Sequence, residues 1–403
     1  MNATKHLIIL FIIALLSGCR QEEESKVTDF VDFFPTKQRD TTGFPGAIVP
    51  SGNIRLGPNK PLLPYRQAQA ITAFSPSYRK TDTAHTGIYL LPTTSPLQPG
   101  ASLPSLWASA TAAFSPEEET AEPGSYRVRF HNGITTELAV SKNCGMFYFE
   151  FPPESTHGMV LFLADQVGAV NETHLEKVNN RTLRGYRKYT LHGKTHVTYF
   201  QLECSQDMQA WSGTDTARPL LNGRQINTTP NYTWINFGTT TNKILVKLST
   251  SSSGTNKAAD YLVKEMPHWS FDKVKRDAKQ QWRRVLNRIK IHSTDRVALH
   301  RFYTALYHHH ATPHSPASKH VFQALGFHPM YPDSNRYQLG LPAFAKIVIR
   351  LDQDRRFVIK TILSKTPAPH TQQILLNNKP LSRPWITRQD IIRGGKLQFI
   401  LPE

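Results

Sequence analysis

From Val27 to about Met266 the sequence is cut into short strand-like segments divided by turn clusters, and this limits the possible folds more than any other feature. Ser125 to Phe130, Thr136 to Val140, Met146 to Phe151, Met159 to Leu163, His196 to Leu202, Tyr232 to Phe237 and Lys243 to Leu248 are such segments, with almost no helical stretch among them. A long series of short strands buries its apolar faces most simply as a large antiparallel sandwich. At 403 residues the chain exceeds what one core usually serves, so two or three domains are expected.

The period changes after Ser270. Phe271, Val274, Ala278, Trp282, Val285 and Ile289 recur at helical spacing and place one apolar stripe on a helix that Ser270 is suited to cap. A second helix is expected from Asp295 to His309, with Leu299, Phe302, Tyr303 and Leu306 on one face. His310 to His320 is a polar, Pro-interrupted bridge, after which Val321 to Leu325 reads as a last helical turn closed by Gly326. Strands return at Lys346 to Leu351, Phe357 to Leu363, Gln373 to Leu376 and Leu397 to Leu401, with Asn377-Asn378 as a tight turn. The expected fold is mainly β: a large N-terminal antiparallel β-sandwich over residues 27–266, a short helical linker over 267–310, a junction over 311–320 and a small C-terminal β segment within 321–403.

The first residues have another purpose. Lys5 and His6 precede the apolar run Leu7 to Leu16, followed by Ser17, Gly18 and Cys19. That run is short for a bilayer span and its small residues suit a peptidase, so residues 1–18 read as a signal peptide. Leu16-Ser17-Gly18-Cys19 resembles a bacterial lipobox, which implies lipidation at Cys19, a tether over 19–26 and attachment to a bacterial membrane, the outer membrane or cell surface. An ordinary signal peptide with an incidental cysteine is the alternative. Cys144 and Cys204 remain, and an exported protein could pair them or bury both as free thiols.

The formal charge of +18 invites a polyanion reading. Its densest run, Lys273 to Lys290, has eight Lys/Arg against Asp277 alone, but at helical periodicity opposite an apolar stripe, which is the mark of a solvated helix face. With export, this argues against nucleic acid as partner.

Several segments, in order, resemble glycoside hydrolase family 92. Val31-Asp32 with Gly43 to Pro50, Leu90 to Thr94, and Glu119 to Tyr126 with Gly133-Ile134 and Glu137-Leu138 resemble the family's first domain. Trp269 to Lys275 resembles its linker, Phe302 to His308 the first helix of its catalytic barrel, and Val321 to Pro329, Tyr337 to Phe344, Leu376 to Pro380 and Ile391 to Leu397 its closing segment. The family comprises inverting, calcium-dependent, exo-acting α-mannosidases. In it a helical barrel separates the last two regions; here about a dozen residues, His309 to His320, stand between them. The resemblance implies that the general acid, the base carboxylates and the main calcium ligands fall in that missing barrel, so no catalytic residue, metal ligand or cofactor is assigned to this chain. Residues 321–403 are then the remnant of a catalytic domain's end.

Inversion at a glycosidic centre needs an acid and a base held about 6.5–9.5 Å apart on a rigid frame. Glu117, Glu118, Glu119 and Glu122 read instead as a solvated acidic loop ahead of a strand. Where the family shows a Ser-His-Thr-His run, this chain has Phe74-Ser75-Pro76-Ser77-Tyr78. The expectation is an inactive family-92-like lipoprotein with residual binding of mannose-rich glycans or none at all, the binding running through family-like positions Phe44, Arg79, Asp82 and His85 or an aromatic platform at Trp107, Trp211 or Trp234, tryptophans that otherwise belong to a core. Two alternatives stand beside it: an active α-mannosidase completed by a second chain, and a structural docking module. His308, His309, His310, His314 and His320 form a histidine-rich junction that could bind zinc or nickel. Phe302, Leu306 and Trp282 would be exposed by loss of a barrel unless they repack.

Overall fold

The computed structural model describes residues 27–34, 45–59, 69–76, 87–95, 103–164, 170–191, 193–212, 232–312, 316–331, 334–364 and 373–402. The chain divides into two compact units, Phe33–Gln280 and a smaller one that joins the stretch ending at Asp32 to Gln281–Glu403. The fold is mainly β, as the strand pattern requires.

The larger unit runs β1 (Gly57–Asn59), β2 (Ala70–Ile71), β3 (Ala73–Ser75), β4 (Tyr89–Thr93), α1 (Leu103–Ala110), β5 (Ala112–Glu122), β6 (Ser125–Phe130) and β7 (Thr135–Val140). It continues through β8 (Cys144–Glu150), β9 (Gly158–Phe162), β10 (Val170–Asn179), β11 (Thr182–Leu191), β12 (Lys194–Cys204), β13 (Ala210–Ser212), β14 (Tyr232–Asn236) and β15 (Lys243–Ser251). Helix α2 (Thr255–Glu265) follows, then α3 (Phe271–Leu286) begins. The strands form a six-stranded sheet, β1-β3-β4-β9-β14-β13, and a nine-stranded sheet, β10-β11-β12-β15-β8-β7-β6-β5-β2. Alternation sets the inner face: Tyr126, Val128 and Phe130 of β6 are buried while Arg127 and Arg129 are exposed. Phe147 and Phe149 of β8 and Ile244, Val246 and Leu248 of β15 join Phe74, Leu90, Leu161, Phe162 and Ile235 of the other sheet in one core.

The centre of the larger sheet is apolar on its outer face as well. Ala139, Cys144 and Met146 pack there against Leu262 of α2, Met266, and Phe271 and Val274 of α3, with Tyr148 and Leu245 alongside. Glu265 fastens this cover, its carboxylate accepting hydrogen bonds from Ser141 Oγ at 2.6 Å, Asn143 N at 2.9 Å and Asn143 Nδ2 at 2.5 Å. Helices α1 and α2 interrupt a region whose pattern predicts almost none. In α2 only Ala258 and Leu262 are buried, a single i, i+4 pair too sparse to register as a periodic stripe. Beyond the helices the sheet extends into the long β10–β11–β12 ribbon. A Cβ on Gly185 would lie 2.0 Å from the His174 carbonyl oxygen, so the close approach of β10 and β11 there requires glycine.

In the smaller unit, β16 (Ile289–His292), α4 (Arg296–Ala311), α5 (Ala317–Leu325), β17 (Phe327–Pro329), β18 (Arg336–Leu339) and β19 (Lys346–Arg350) are followed by β20 (Arg356–Ser364) and β21 (Gln373–Leu376). Next come β22 (Lys379–Pro380), β23 (Trp385–Thr387), α6 (Arg388–Ile392) and β24 (Gly395–Pro402). A six-stranded sheet runs β16-β19-β20-β24-β21-β22, and a three-stranded one β17-β18-β23. Only the β20–β24 pair is parallel among the described ladders. Asp295 Oδ1 caps α4 by accepting from Ala298 N at 3.0 Å, Gly326 closes α5 in the left-handed region at φ 80°, and Asn377 and Asn378 turn the chain at φ 52° and 64°.

The apolar faces of these helices are covered. Trp282 and Leu306 are fully buried and Phe302 nearly so, with the Trp282 ring 4.2 Å from Tyr307 and Phe302 set edge-on to Phe344. The stretch before Asp32 also docks on α4: Phe30 stacks on Tyr303 at 5.8 Å, and Thr304 Oγ1 accepts from Asp32 N at 2.8 Å. Trp282→Ala is expected to lower the unfolding free energy by about 3–5 kcal/mol, measured as a reduced urea midpoint at unchanged slope; a midpoint equal to wild type would show that this ring is not part of a core.

Candidate functional site

Cys19, Phe44, Arg79, Asp82 and His85 lie outside the described residues, as does the side chain of Trp211. Trp107 is a core residue, 3% exposed and stacked on Phe162 at 4.1 Å, and Trp234 packs against the same core. Neither offers a platform. The acidic residues expected in a loop lie within β5 instead, where a register shift between Phe114 and Glu119 irregularly pairs the strand with β6. Glu119 is buried there and accepts from Tyr126 Oη at 2.7 Å, while Glu122 lies 3.2 Å from Lys279 Nζ. A buried hydrogen-bond acceptor and a surface ion pair account for two of these four carboxylates.

His308, His309 and His310 form the last turn of α4, and His320 lies on α5; His314 is outside the described residues. Along the turn His308 is buried, His309 half-buried and His310 exposed. Among the described residues no three His, Cys, Asp or Glu side chains converge as a zinc or nickel site would require. His309 Nδ1 lies 2.7 Å from Ser318 Oγ and ties α4 to α5. Burial holds its pKa below the usual imidazole range.

Cys144 and Cys204 are both free and buried. Cys144 belongs to the outer-face cluster under α2 and α3, and Cys204 to the inner core, so the sheet itself separates them. Burial raises both thiol pKa values, which keeps them protonated and unreactive.

A described surface with convergent polar side chains lies elsewhere. Where the helical cover ends, a groove of about 880 Å³ lies between the β10–β11 turn and the linker ahead of α3. Its walls include Asn179, Asn180, Arg181, Glu203, Asp207 and Trp269. Trp269 is 38% exposed although one face of its ring is covered by Lys247 Nζ, 4.0 Å from the centroid. Lys247 itself is buried, and desolvation lowers its pKa against the opposing influence of Glu203, whose Oε2 is 4.0 Å away. Gln201 Nε2 donates to Glu203 Oε1 at 2.9 Å, and Arg181 Nε to Asp207 Oδ1 at 2.5 Å. The turn is pinned from behind: Asn179 Oδ1 accepts from Arg181 N at 2.8 Å, while the carbonyls of Arg181 and Asn180 accept from Cys204 N and Met208 N, each at 2.8 Å. These residues escape sequence reasoning because the turn is polar on both sides, and Trp269 stands alone between two helices with no periodic partner.

The glycosyl hydrolase family 92 N-terminal domain model matches residues 30–251, and the family's catalytic domain model matches residues 257–320 and 315–403. The chain belongs to glycosyl hydrolase family 92. A family GH92 inverting mannosidase from Bacteroides thetaiotaomicron shares its fold with a TM-score of 0.78 at 11% identity, covering 94% of this chain and 97% of that one. A family GH92 alpha-mannosidase from the same organism gives 0.73 at 13% identity, covering 94% and 96%. An uncharacterized secreted glycosidase of Arthroderma benhamiae is 22% identical over 218 residues, which are 48% of this chain and 28% of that relative's length.

Within the part matched by the family 92 catalytic domain, the described carboxylates have structural positions. Glu265 is the clamp on the sheet, Asp260 is exposed on α2, Asp272 lies in the first turn of α3, and Asp277 pairs with Lys273 at 2.6 Å. Asp295 caps α4, Asp352 lies 3.6 Å from Arg288, Asp354 sits at φ 55° in a turn, and Asp390 completes the capping box of α6 while meeting Arg383 at 2.7 Å.

Two measurements check these assignments. In the native mature protein Cys144 and Cys204 should both resist an aromatic disulfide reagent, and both should titrate once the chain is unfolded; reaction of either under native conditions would contradict the burial. Because His309 is held neutral, the folded chain binds fewer protons than the unfolded one below the ordinary imidazole pKa of about 6.5. Its contribution to stability is therefore complete above that pH and is lost on acidification, and His309→Gln should flatten the fall of melting temperature below about pH 6.5.

Proposed function

We propose that this family 92 chain is an exported, lipid-anchored protein that holds mannose-bearing glycans without hydrolysing them. The observation that carries the reading is the placement of the carboxylates just described. An inverting hydrolase needs one acid and one base facing each other across a sugar with a water between. In the catalytic-domain stretch, most of the described acids are instead helix caps, turn residues, ion-pair partners or a sheet clamp. The connection between α4 and α5 is the short segment 312–316, and the catalytic-domain match is broken into two segments, 257–320 and 315–403, that overlap just after it begins. That arrangement supports loss of the intervening barrel. The burial of Trp282, Phe302 and Leu306 supports a chain that folds without it.

The family, whose solved members include mannosidases, supports the glycan class, and the leader-like residues 1–18 with Cys19 and a relative named as secreted support export. The reading is tested with the purified mature protein, α-mannobiose, yeast mannan and calcium, scoring mannose release and retention on mannan resin separately. Retention with no release above the uncatalysed background is expected. Release that disappears when one of the described carboxylates is replaced by its amide would refute it, and release that appears only on adding a second polypeptide would favour an enzyme completed in trans.

A further inference from the structure

Resting on the glycan-holding reading, we infer that the Trp269 groove is a saccharide site that takes a neutral oligosaccharide, with one pyranose on the open face of the indole. Three features select this ligand class. The ring is fixed from below by Lys247 yet 38% exposed, so its free face is presented to solvent at no cost in ordering a mobile side chain. Around it stand hydroxyl-binding groups of both kinds: amides at Asn179 and Asn180, carboxylates at Glu203 and Asp207, and the guanidinium of Arg181. An apolar platform ringed by such groups matches a sugar, whose C–H face is apolar and whose rim is hydroxylated.

The charges exclude the main competitor. Arg181 is paired with Asp207, and Lys247 beneath the ring lies 4.0 Å from Glu203, so two of the three cations at the groove, Lys177 being the third, are met by carboxylates already in place. A sulfated or phosphorylated ligand would have to bring its anion beside Asp207 and Glu203. A neutral sugar has no such penalty, and its hydroxyls can bridge both members of the Arg181–Asp207 pair. At about 880 Å³ the groove lies within the range of small-ligand clefts. Its wall is already set, because the β10–β11 turn is hydrogen-bonded to the residues that follow β12.

The site is tested by calorimetric titration of the full mature protein with α-1,2-mannotriose, and with a heparin hexasaccharide as the anionic probe. Trp269→Ala should weaken mannotriose binding by about tenfold, roughly 1.4 kcal/mol, whereas Trp269→Phe, which keeps a ring over Lys247, should retain most of the affinity. Arg181→Gln changes an exposed residue outside the core and should weaken binding several-fold with an unchanged melting temperature. Mannotriose bound equally by wild type, Trp269→Ala and Arg181→Gln would overturn this placement while leaving the glycan-holding reading intact. No mannotriose binding by wild type would overturn both, and binding of heparin in preference to mannotriose would overturn the neutral-ligand assignment.

Discussion

Strands β8 and β15 must be covered on both faces, and much of the larger unit answers that requirement. Cys144 to Phe149 and Ile244 to Leu248 are close to continuous apolar runs, of the kind found where a sheet is buried from both sides. The inner face meets the six-stranded sheet. The outer face obliges the chain leaving β15 to double back as α2 and α3, with Glu265 drawing three donors of the β7–β8 turn onto the cover. Trp269 owes its position to this demand, since it occupies the short linker between the two covering helices and settles over Lys247. The candidate site is thus a by-product of how the sheet is sealed.

The smaller unit meets a different constraint. Its helices carry broad apolar faces, and burial of Trp282 against Tyr307 and of Phe302 against Phe344 disposes of them within the unit itself. Several carboxylates there serve helix ends and turns, and an N-cap such as Asp295 is worth roughly 1 kcal/mol to the fold.

Most of the architecture is legible from side-chain periodicity. β6 and β14 follow alternating segments, β7, β9 and β15 follow short apolar strand-like segments bounded by turns, α3 and α4 follow apolar stripes with Ser270 and Asp295 as caps, and Gly326 and the Asn377-Asn378 pair stop and turn the chain by their left-handed backbone. The β10–β11 ribbon is less legible because one of its faces is open, leaving few buried apolar positions such as Leu175 and Leu183 to reveal an alternation. The candidate groove is legible only in hindsight. Its residues come from a turn, a strand end and a linker, and nothing in the sequence places Arg181, Asp207 and Trp269 side by side. Trp107, one of the more conspicuous tryptophans, is consumed by the core, and Trp234 packs partly buried against it.

The position of β24 bears on biogenesis. This strand, residues 395–402, runs through the middle of its sheet between β20 and β21, and α4 receives Phe30 from the opposite extreme of the described chain. The larger unit is continuous in sequence, whereas the smaller one is stitched from both extremes and must wait for the last of its strands. Until β24 is in place the apolar faces of α4 and α5 are consequently the last to be sheltered.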